Sequence, residues 1–266
     1  MIHHALCNLI EPIWERKFIF DSYANRIGKG THRALLRANG FARRYKYVLQ
    51  CDVEQFFPSI DHEILFGMLA KWIDDPPALA IIQRILDSGI GVQKEAYEMR
   101  WFPADELDAL QRPRGLPIGN LTSQFWANVY LNSFDHFVKR ELRCKCYLRY
   151  VDDFLLFADD RETLKRWQSA IMSWLRVLRL SLHAPQVYPV KNGIPFLGFI
   201  IYPDHRRLKK RRGIAFQRRF RHRYKRWVKG EIERKPLDDS ARSWAAHAAW
   251  GDTFGLRGSV LGKYRL

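Results

Sequence analysis

Two adjacent carboxylates, Asp152 and Asp153, stand between two apolar segments whose β-branched and aromatic residues predict the strands of a hairpin. Like charges at one turn repel each other unless a cation neutralises them, and hard divalent cations prefer carboxylate oxygens. A third carboxylate, Asp52, falls near the end of another predicted strand, residues 46–53. Together these side chains could hold two Mg²⁺ ions about 3.5–4 Å apart, the spacing that stabilises both oxygens of a phosphoryl transfer.

A solvated hairpin tip is the simpler explanation of an Asp–Asp pair, because aspartate is common in turns. The apolar flanks of Asp152 and Asp153, and the further motifs described below, favour a functional site instead. Another acidic pair, Asp159 and Asp160, falls where a predicted strand gives way to a helix. We therefore assign that second pair to helix capping.

The scaffold of these carboxylates is predicted from hydrophobic periodicity. Helical spacing recurs behind a cap at Asp61, after Pro76 and Pro77, from Leu121 to about Arg140, and from Leu164 to Leu178. Residues 90–113 predict loop or hairpin, and Phe196 to Tyr202 predict one buried strand. This order of strand, helices, hairpin, helix and strand predicts an α+β layer with an antiparallel sheet.

The chain is strongly basic, with 45 Lys and Arg against 28 Asp and Glu in 266 residues and a formal net charge of +17. Such a surplus predicts an anionic polymer as partner. Residues 206–226 carry Arg or Lys at more than half of their positions, while Phe216, Phe220 and Tyr224 recur at a spacing of four. This stretch predicts a separate basic helical module with one apolar stripe.

A membrane location is not expected, because the sequence lacks an apolar run of about eighteen residues and a positive-then-apolar leader. We predict a soluble, intracellular protein. The four cysteines lack a paired framework and the C-x2-C spacing of zinc sites, so we expect reduced thiols. Cys144 and Cys146 share one face of a predicted strand, and they could bind a metal only with ligands from elsewhere.

Four motifs, in chain order, resemble the palm motifs of reverse transcriptases. They are CDVEQFF at 51–57, LPIGNLTSQ at 116–124, YVDD at 150–153 and FLGF at 196–199. The block at 118–124 more narrowly resembles the reverse transcriptases of diversity-generating retroelements, because most relatives carry Gln where this chain has Ile118 and Pro where it has Gln124. GKGTHRA at 28–34 and SWxxHA at 243–248 resemble the same branch.

The resemblance implies an RNA-directed DNA polymerase of the right-hand type, with a mixed fingers and palm and a C-terminal helical thumb. It divides the chain into fingers at 1–45 and 76–115, palm at 46–75 and 116–205, and thumb at 206–266. It also implies an RNA template, a DNA or RNA primer, dNTPs, and a small basic accessory protein. The setting it implies is the cytoplasm of a bacterial or phage-infected cell.

The resemblance also implies roles for individual residues. Asp52, Asp152 and Asp153 become the catalytic set, and with Val53 they hold two Mg²⁺ ions or Mn²⁺ as a substitute. Phe57 resembles a steric gate that excludes the 2′-hydroxyl. The remaining nucleotide-binding residues are Arg26, Lys29, Ile118, Gly119 and Gln124, the primer grip is Phe196, Leu197 and Gly198, and the thumb arginines are Arg218, Arg219, Arg221 and Arg223.

Each of these roles has a simpler structural alternative. Phe57 could be a core aromatic, Arg26 and Lys29 could be solvated charges, residues 196–199 could be an ordinary buried strand, and the arginines could face solvent. The sequence also departs from the family at His183-Ala184-Pro185-Gln186, where relatives commonly carry a Lys suited to protonate pyrophosphate and the nearest one here is Lys191. Relatives also tend to extend upstream of Met1.

Three other classes of function remain open from the sequence. A two-metal nuclease would share the carboxylates but has no use for a steric gate or a primer grip. A catalytically inactive RNA-binding scaffold would not need the complete set of Asp52, Asp152 and Asp153. A retron, group II intron or defence-associated reverse transcriptase would share most motifs, although we expect no maturase or endonuclease extension after Leu266, which disfavours the intron enzyme.

Overall fold

The computed structural model describes residues 2–103 and 105–264. The chain divides into two compact units. The first unit comprises Met1–Ala34 and Tyr47–Tyr188, and the second comprises Leu35–Lys46 and Pro189–Leu266. The predicted division into fingers, palm and thumb segments stays a prediction, but the residues from 189 to 205 belong to the same unit as the C-terminal helices.

A four-stranded sheet organises the first unit, with strand order β2-β3-β1-β4. Its strands are β1 (Tyr47–Asp52), β2 (Tyr147–Tyr150), β3 (Asp153–Ala158) and β4 (Gln186–Pro189). Strand β3 runs antiparallel to β1 from Tyr47↔Ala158 to Asp52↔Asp153, and antiparallel to β2 from Tyr147↔Leu156 to Tyr150↔Asp153. The predicted strand at 46–53 and the predicted acidic hairpin are therefore confirmed.

Seven α-helices form in the described part of the chain up to residue 188. They are α1 (Ile2–Glu15), α2 (Thr31–Ala42), α3 (Phe56–Ser59), α4 (His62–Ala70), α5 (Pro76–Asp87), α6 (Leu121–His136) and α7 (Arg161–Leu175). Helix α2 continues into the second unit, and α6 runs on into a π-helical segment, Phe137–Glu141. Short 3-10 segments, Lys94–Ala96 and Leu107–Gln111, interrupt the loop of 90–113, in whose described residues no strand forms.

Helix α6 forms the centre of the first unit. Its side chains are buried on nearly every face, including Trp126, Tyr130 and Phe134, which is typical of a helix enclosed by a core. The ring of Phe134 lies 5.2 Å from the ring of Phe154 on β3, centroid to centroid. This contact couples the helix to the strand that follows the acidic hairpin turn.

Local capping explains where two helices begin. The carboxylate of Asp61 accepts a hydrogen bond from the Ile64 amide at 3.1 Å, and Asp160 accepts one from the Thr163 amide at 2.7 Å. Such caps satisfy amides that have no partner within the helix. The predicted cap at Asp61 and the assignment of the second acidic pair to capping are confirmed, with Asp160 as its capping member.

The second unit contains a three-stranded sheet, β5-β6-β7, and three helices of its own. These elements are β5 (Ile194–Phe196), β6 (Phe199–Ile201), β7 (Arg206–Leu208), α8 (Lys210–Val228), α9 (Arg234–Ala248) and α10 (Phe254–Leu261). The rings of Phe216 on α8 and Trp244 on α9 stack with centroids 4.3 Å apart. The predicted apolar stripe of the basic helix thus packs against its neighbour.

Three sequence predictions were wrong in detail. Residues 196–202 form a tight hairpin rather than one strand, because Leu197 and Gly198 adopt φ of 46° and 92°. The basic module begins with strand β7 rather than a helix. Cys144 and Cys146 precede strand β2 and so do not share a strand face, although all four cysteines are free and buried as expected of reduced thiols.

No helix in the described residues is long and apolar enough to cross a membrane.

Gly193, just before β5, is required by the packing of the second unit. Its φ is +84°, and an added Cβ would lie 2.6 Å from Ile200 Cγ2 and 2.7 Å from the Tyr202 ring. We predict that Gly193→Ala lowers the free energy of unfolding by about 1–3 kcal/mol, because the strained φ and the clash act together. Urea denaturation monitored by circular dichroism measures this loss.

Gly40 provides the matched control within the same unit. It lies in helix α2, and an added Cβ would find no atom within 4 Å. We expect Gly40→Ala to stabilise the protein by about 0.5–1 kcal/mol, because alanine loses less backbone entropy than glycine in a helix. Equal unfolding midpoints for the two variants would contradict the packing role of Gly193.

Candidate active site

Three carboxylates meet at one end of the first unit's sheet. Asp52 ends β1 and lies directly opposite Asp153, which begins β3. The Val53 amide donates to the Asp152 carbonyl at 3.3 Å, which makes the neighbouring Asp52–Asp153 pair a non-hydrogen-bonded one. Side chains of such a pair extend from the same face and approach closely, so two carboxylates lie side by side with the third in the adjacent turn.

The electrostatics of this end of the sheet oppose the charged form of the carboxylates. Burial raises the pKa of Asp52, an effect that the nearby His183 partly offsets. Burial also raises the pKa of Asp152, hydrogen bonds from the backbone lower it, and the charge of Asp52 raises it further. Both pKa values rise chiefly because burial disfavours the charged carboxylate, and a bound cation would favour that charged form.

The donor chemistry of the site fits a hard divalent cation, which takes carboxylate and carbonyl oxygens. Asp52, Asp152 and Asp153 supply the carboxylates, whereas Val53 has an apolar, buried side chain and could contribute only its backbone oxygen. Within residues 2–103 and 105–264, no three acidic, histidine or cysteine side chains are already grouped closely enough to hold a metal ion. A cation would therefore have to draw the three aspartates together.

The segment 181–183 runs alongside the end of β1, and sequence reasoning did not anticipate its position. The His183 amide donates to the Asp52 carbonyl at 3.0 Å, and the Glu54 amide donates to the Ser181 carbonyl at 2.9 Å. The His183 ring is 58% exposed, and its Nε2 lies 3.9 Å from Asp52 Oδ2. The segment that begins at His183, where the sequence departs from the family it resembles, therefore lies beside the predicted catalytic carboxylate Asp52.

Glu54 is a further acidic residue beside Asp52, and the sequence analysis assigned no role to it. Arg100 Nη2 lies 2.6 Å from Glu54 Oε1, and Ser181 Oγ donates to Glu54 Oε2 at 3.2 Å. The Nδ1 of His183 lies 3.9 Å from Glu54 Oε1. Glu54 therefore connects the loop that contains Arg100 with the segment 181–183 beside the candidate active site.

In the basic turn that is predicted to bind triphosphate, the Arg26 side chain bonds to other residues of the first unit. Arg26 pairs with both carboxylate oxygens of Glu15 and donates to the carbonyls of Ile19 and Ser22, and its side chain is only 6% exposed. These bonds correct the picture of Arg26 as a mobile solvated charge: its guanidinium is committed to the protein. Its role in nucleotide binding stays a proposal that requires this ion pair to open.

Lys29, in the same turn, makes one hydrogen bond to a backbone carbonyl and one contact with an aromatic ring. Its ammonium donates to the Phe20 carbonyl at 2.7 Å and lies 3.4 Å from the centre of the Phe20 ring. Burial lowers the pKa of Lys29, and the positive charge of Arg26 lowers it further. Since Lys29 still lies at the surface, it remains the better candidate of the two for an incoming phosphate.

The proposed steric gate and the Ile118 motif are joined through the backbone. Phe57 is half-buried on α3, five residues after Asp52, and its carbonyl accepts the Leu116 amide at 3.0 Å. Beyond Leu116, Ile118 is 76% exposed and Gly119 adopts a φ of +102°. An exposed apolar side chain next to such a turn is available to a ligand.

Gln124, the last residue of this motif, is half-buried in the first turn of helix α6. Its amide donates to the Asn120 carbonyl at 3.3 Å. The backbone of Gln124 is therefore part of the helix, and only its side chain is available to a nucleotide.

The proposed primer grip and thumb arginines lie in the second unit. Phe196 is buried, and Leu197 and Gly198 form the tip of the β5–β6 hairpin. The space that a Cβ of Gly198 would fill is taken by Arg212, whose Nε would lie 2.7 Å away. The role of this hairpin as a primer grip stays a prediction. The arginines predicted to bind nucleic acid, Arg218, Arg219, Arg221 and Arg223, are all exposed on α8.

Comparison with known proteins gives the family of this mixed sheet-and-helix unit with adjacent carboxylates at the end of its sheet. The model described as reverse transcriptase (RNA-dependent DNA polymerase) matches residues 1–201. The chain belongs to the reverse transcriptase family. This membership, together with helices and antiparallel sheets, confirms the predicted α+β, right-hand polymerase fold class.

The relatives of this chain are distant. Protein YkfC of Escherichia coli (strain K12) is 22% identical over 254 residues, covering 79% of this chain and 61% of that protein. The group II intron-encoded protein LtrA of Lactococcus lactis is 25% identical over 138 residues, covering 52% of this chain and 21% of that protein. The chain thus spans less than two thirds of the length of these curated relatives.

Among solved structures, the telomerase of Candida albicans, in complex with a fragment of telomeric RNA, is similar at a TM-score of 0.49 and 12% identity. That match covers 99% of this chain and 48% of the telomerase chain.

Proposed function

We propose that this protein is an RNA-directed DNA polymerase that extends a primer on an RNA template with deoxynucleotides. The observation that carries the proposal is the meeting of Asp52, Asp152 and Asp153 at one end of the β1–β3 pair, in a chain of the reverse transcriptase family. Two Mg²⁺ ions, held by these carboxylates, would stabilise the attacking and leaving oxygens of nucleotidyl transfer. Mn²⁺ offers a substitute of similar ligand preference.

The remaining residues act by binding and orientation. Phe57 lies five residues beyond Asp52, where its ring would exclude a 2′-hydroxyl and so select deoxynucleotides. Lys29 would bind the triphosphate by charge-assisted hydrogen bonds, joined by Arg26 if its ion pair opens. Gly119 and Gln124 would flank the incoming nucleotide beside Ile118.

The second unit contributes the proposed nucleic-acid contacts. The hairpin of Phe196, Leu197 and Gly198 would hold the primer, and the exposed arginines of α8 would bind backbone phosphates. Such contacts recognise the shape and charge of a hybrid rather than its sequence.

Primer extension separates this proposal from a nuclease and from an inactive scaffold. A polymerase lengthens a primer annealed to RNA when dNTPs and Mg²⁺ are supplied. A nuclease shortens one of the strands instead, and a scaffold binds RNA without changing either strand. Lengthening that follows the template sequence and stops where the complementary dNTP is left out supports the polymerase.

Within the family, we propose the branch of diversity-generating retroelements, acting in mutagenic retrohoming. The support comes from Ile118, Gln124 and the segments 28–34 and 243–248, which resemble that branch. A group II intron enzyme is the competing assignment, because group II intron-encoded proteins are among the relatives that match. Errors concentrated at template adenines separate the two, since the resemblance implies them only for the first.

Ile118 is the residue through which this assignment is tested. A glutamine at this position could hydrogen-bond the incoming nucleotide, whereas the exposed isoleucine offers apolar contact without direction. One such bond is worth about 0.5–1.5 kcal/mol, or roughly a two- to tenfold gain in discrimination. We predict that Ile118→Gln lowers misincorporation opposite adenine several-fold and leaves copying of other bases largely unchanged, as measured by sequencing cDNA from an adenine-rich template.

The matched control is Ile81→Gln, which makes the same chemical change at an exposed position on α5. Its error spectrum should equal that of the wild type. Identical spectra for Ile118→Gln and the wild type would refute the role given to Ile118.

We also propose a partner, a small basic accessory protein bound to the template RNA. The support is the resembled branch, together with a net charge of +17 that suits a complex assembled on RNA. We predict that the purified chain alone makes cDNA poorly or at scattered sites, and that the partner raises yield and fixes the start site. Full, site-specific synthesis by the isolated chain would contradict this dependence.

A further inference from the structure

Arg149, on β2, is the largest charged side chain in the core of the first unit. It is 0% exposed, and so is its partner Asp135 on α6. Arg149 Nε and Nη2 each donate to one carboxylate oxygen of Asp135, at 2.8 and 2.7 Å. A buried charge of this kind is costly unless fully paired, and replacing such a pair by apolar residues is often neutral for stability. Stability alone therefore does not account for its presence.

The third nitrogen of the guanidinium reaches the acidic turn. Arg149 Nη1 donates to the Val151 carbonyl at 2.8 Å and to Asn128 Oδ1 at 3.2 Å. Asn128 in turn donates to the Ala24 carbonyl at 2.8 Å. The carbonyl that Arg149 holds is the peptide oxygen that joins Val151 to Asp152, so the guanidinium fixes the peptide plane leading into the catalytic carboxylate.

Val151 is an unusual residue for the turn that it occupies. It adopts a φ of +57° in the two-residue turn between β2 and β3. A β-branched residue rarely takes this conformation, and turns of this length favour glycine there. Backbone strain of this kind persists only where surrounding structure holds it, and it concentrates at active sites.

The backbone of Arg149 is fixed on both sides, which makes the guanidinium a firm anchor. Arg149 pairs with Phe154 across the hairpin. On its other side, its amide donates to the Asp21 carbonyl at 2.9 Å, and its carbonyl accepts the Tyr23 amide at 3.0 Å. Arg149 is therefore held by strand β3, by helix α6 through Asp135, and by residues 21–23, which precede the basic turn of Lys29.

We propose that Arg149 is a positioning residue, which holds the strained Val151–Asp152 turn through the Val151 carbonyl so that Asp152 is presented beside Asp52. The proposal rests on the proposed function, since it concerns the placement of its carboxylate. Arg149 is fully buried and reaches Asp152 only through the Val151 carbonyl. It acts through the turn, and Asp135 and Asn128 act by holding Arg149.

Arg149→Lys tests this role while keeping a positive charge for Asp135. A lysine has one nitrogen, so it can bond Asp135 but cannot also hold the Val151 carbonyl in the same planar arrangement. We expect kcat for nucleotide incorporation to fall by about tenfold to a hundredfold, as small displacements of catalytic groups do. The KM for dNTP should stay within about twofold, because substrate binding is not changed. The unfolding temperature should fall, because part of the pairing of the buried Asp135 carboxylate is lost, so kcat is compared per folded molecule.

Val151→Gly provides the rescue. Glycine adopts a φ of +57° without strain, so the turn no longer needs its brace. We expect Val151→Gly to restore kcat several-fold in the Arg149→Lys background and not to raise it in the wild-type background, a coupling that a double-mutant cycle measures. Additive effects of the two substitutions, or a wild-type kcat for Arg149→Lys, would overturn the proposal.

Two further measurements keep the outcome decisive. If Arg149→Lys fails to fold, the uncharged pair Arg149→Met with Asp135→Asn removes the brace and leaves an acceptor for the Tyr147 hydroxyl, which donates to Asp135 at 2.6 Å. A kcat loss that only parallels a loss of folded protein refutes positioning. Asp152→Asn is assayed alongside: full activity there would sink the proposed function itself, whereas an inactive Asp152→Asn with an unaffected Arg149→Lys would sink only this inference.

Discussion

Replacing Asp152 with asparagine is expected to abolish nucleotide incorporation, to below about a thousandth of the wild-type rate, while RNA binding stays near that of the wild type. Asparagine keeps the size of the side chain but removes the charge that a divalent cation requires. The basic surface that binds RNA is not altered. Rapid-quench incorporation assays and filter binding with the same labelled RNA measure the two properties separately.

The same loss is expected for Asp52→Asn, because Asp52 lies opposite Asp153 at the same end of the sheet. Asp159→Asn is the matched control, since Asp159 is an exposed aspartate that follows β3 in the same hairpin. It should retain wild-type activity. Residual polymerisation above about a thousandth in Asp152→Asn would contradict the assignment of this carboxylate to the metals.

Reversing Arg218, Arg219 and Arg221 to glutamate is expected to weaken RNA binding by at least about tenfold at low salt and to flatten its salt dependence. These exposed residues of α8 are proposed to contact phosphates, and each contact to a single strand contributes about −0.7 to the log–log slope. Loss of three contacts should therefore change the slope by about 2. Fluorescence anisotropy over a series of salt concentrations gives both quantities.

Reversing three basic residues on another helix controls for the change in net charge. Arg161, Lys165 and Arg166 are exposed on α7, and replacing them by glutamate changes the net charge by the same amount. Their reversal should leave most of the slope intact. An identical slope for the α8 variant and the wild type would move the RNA-binding surface away from Arg218, Arg219 and Arg221.

The sequence predicted those parts of the fold that local chemistry determines. The acidic hairpin, the cap at Asp61 and the long helix from Leu121 all depend on periodicity, turn residues and capping within a few positions. The meeting of Asp52 with the hairpin was also expected, because the resemblance supplied the pairing of distant strands. These are the features in which propensity and tertiary structure agree.

The sequence did not predict features that depend on distant partners. Strand 196–202 breaks at Leu197, a residue without glycine's freedom, in a turn that the Lys209 amide holds by donating to the Gly198 carbonyl at 3.0 Å. Arg26 looked like a free cation because Glu15, its partner, lies 11 positions away. Arg149 gave no signal at all, since a buried arginine is recognised only when its partner is known to lie beside it.

The proposed polymerase activity is tested most directly by the addition of a single nucleotide to a primer annealed to RNA, measured over a series of Mg²⁺ concentrations. We predict that one deoxynucleotide is added, chosen by the template base and preferred over the ribonucleotide, with a rate that rises with Mg²⁺ and vanishes in a chelator. Strand cleavage without extension, or RNA binding without either reaction, would contradict it.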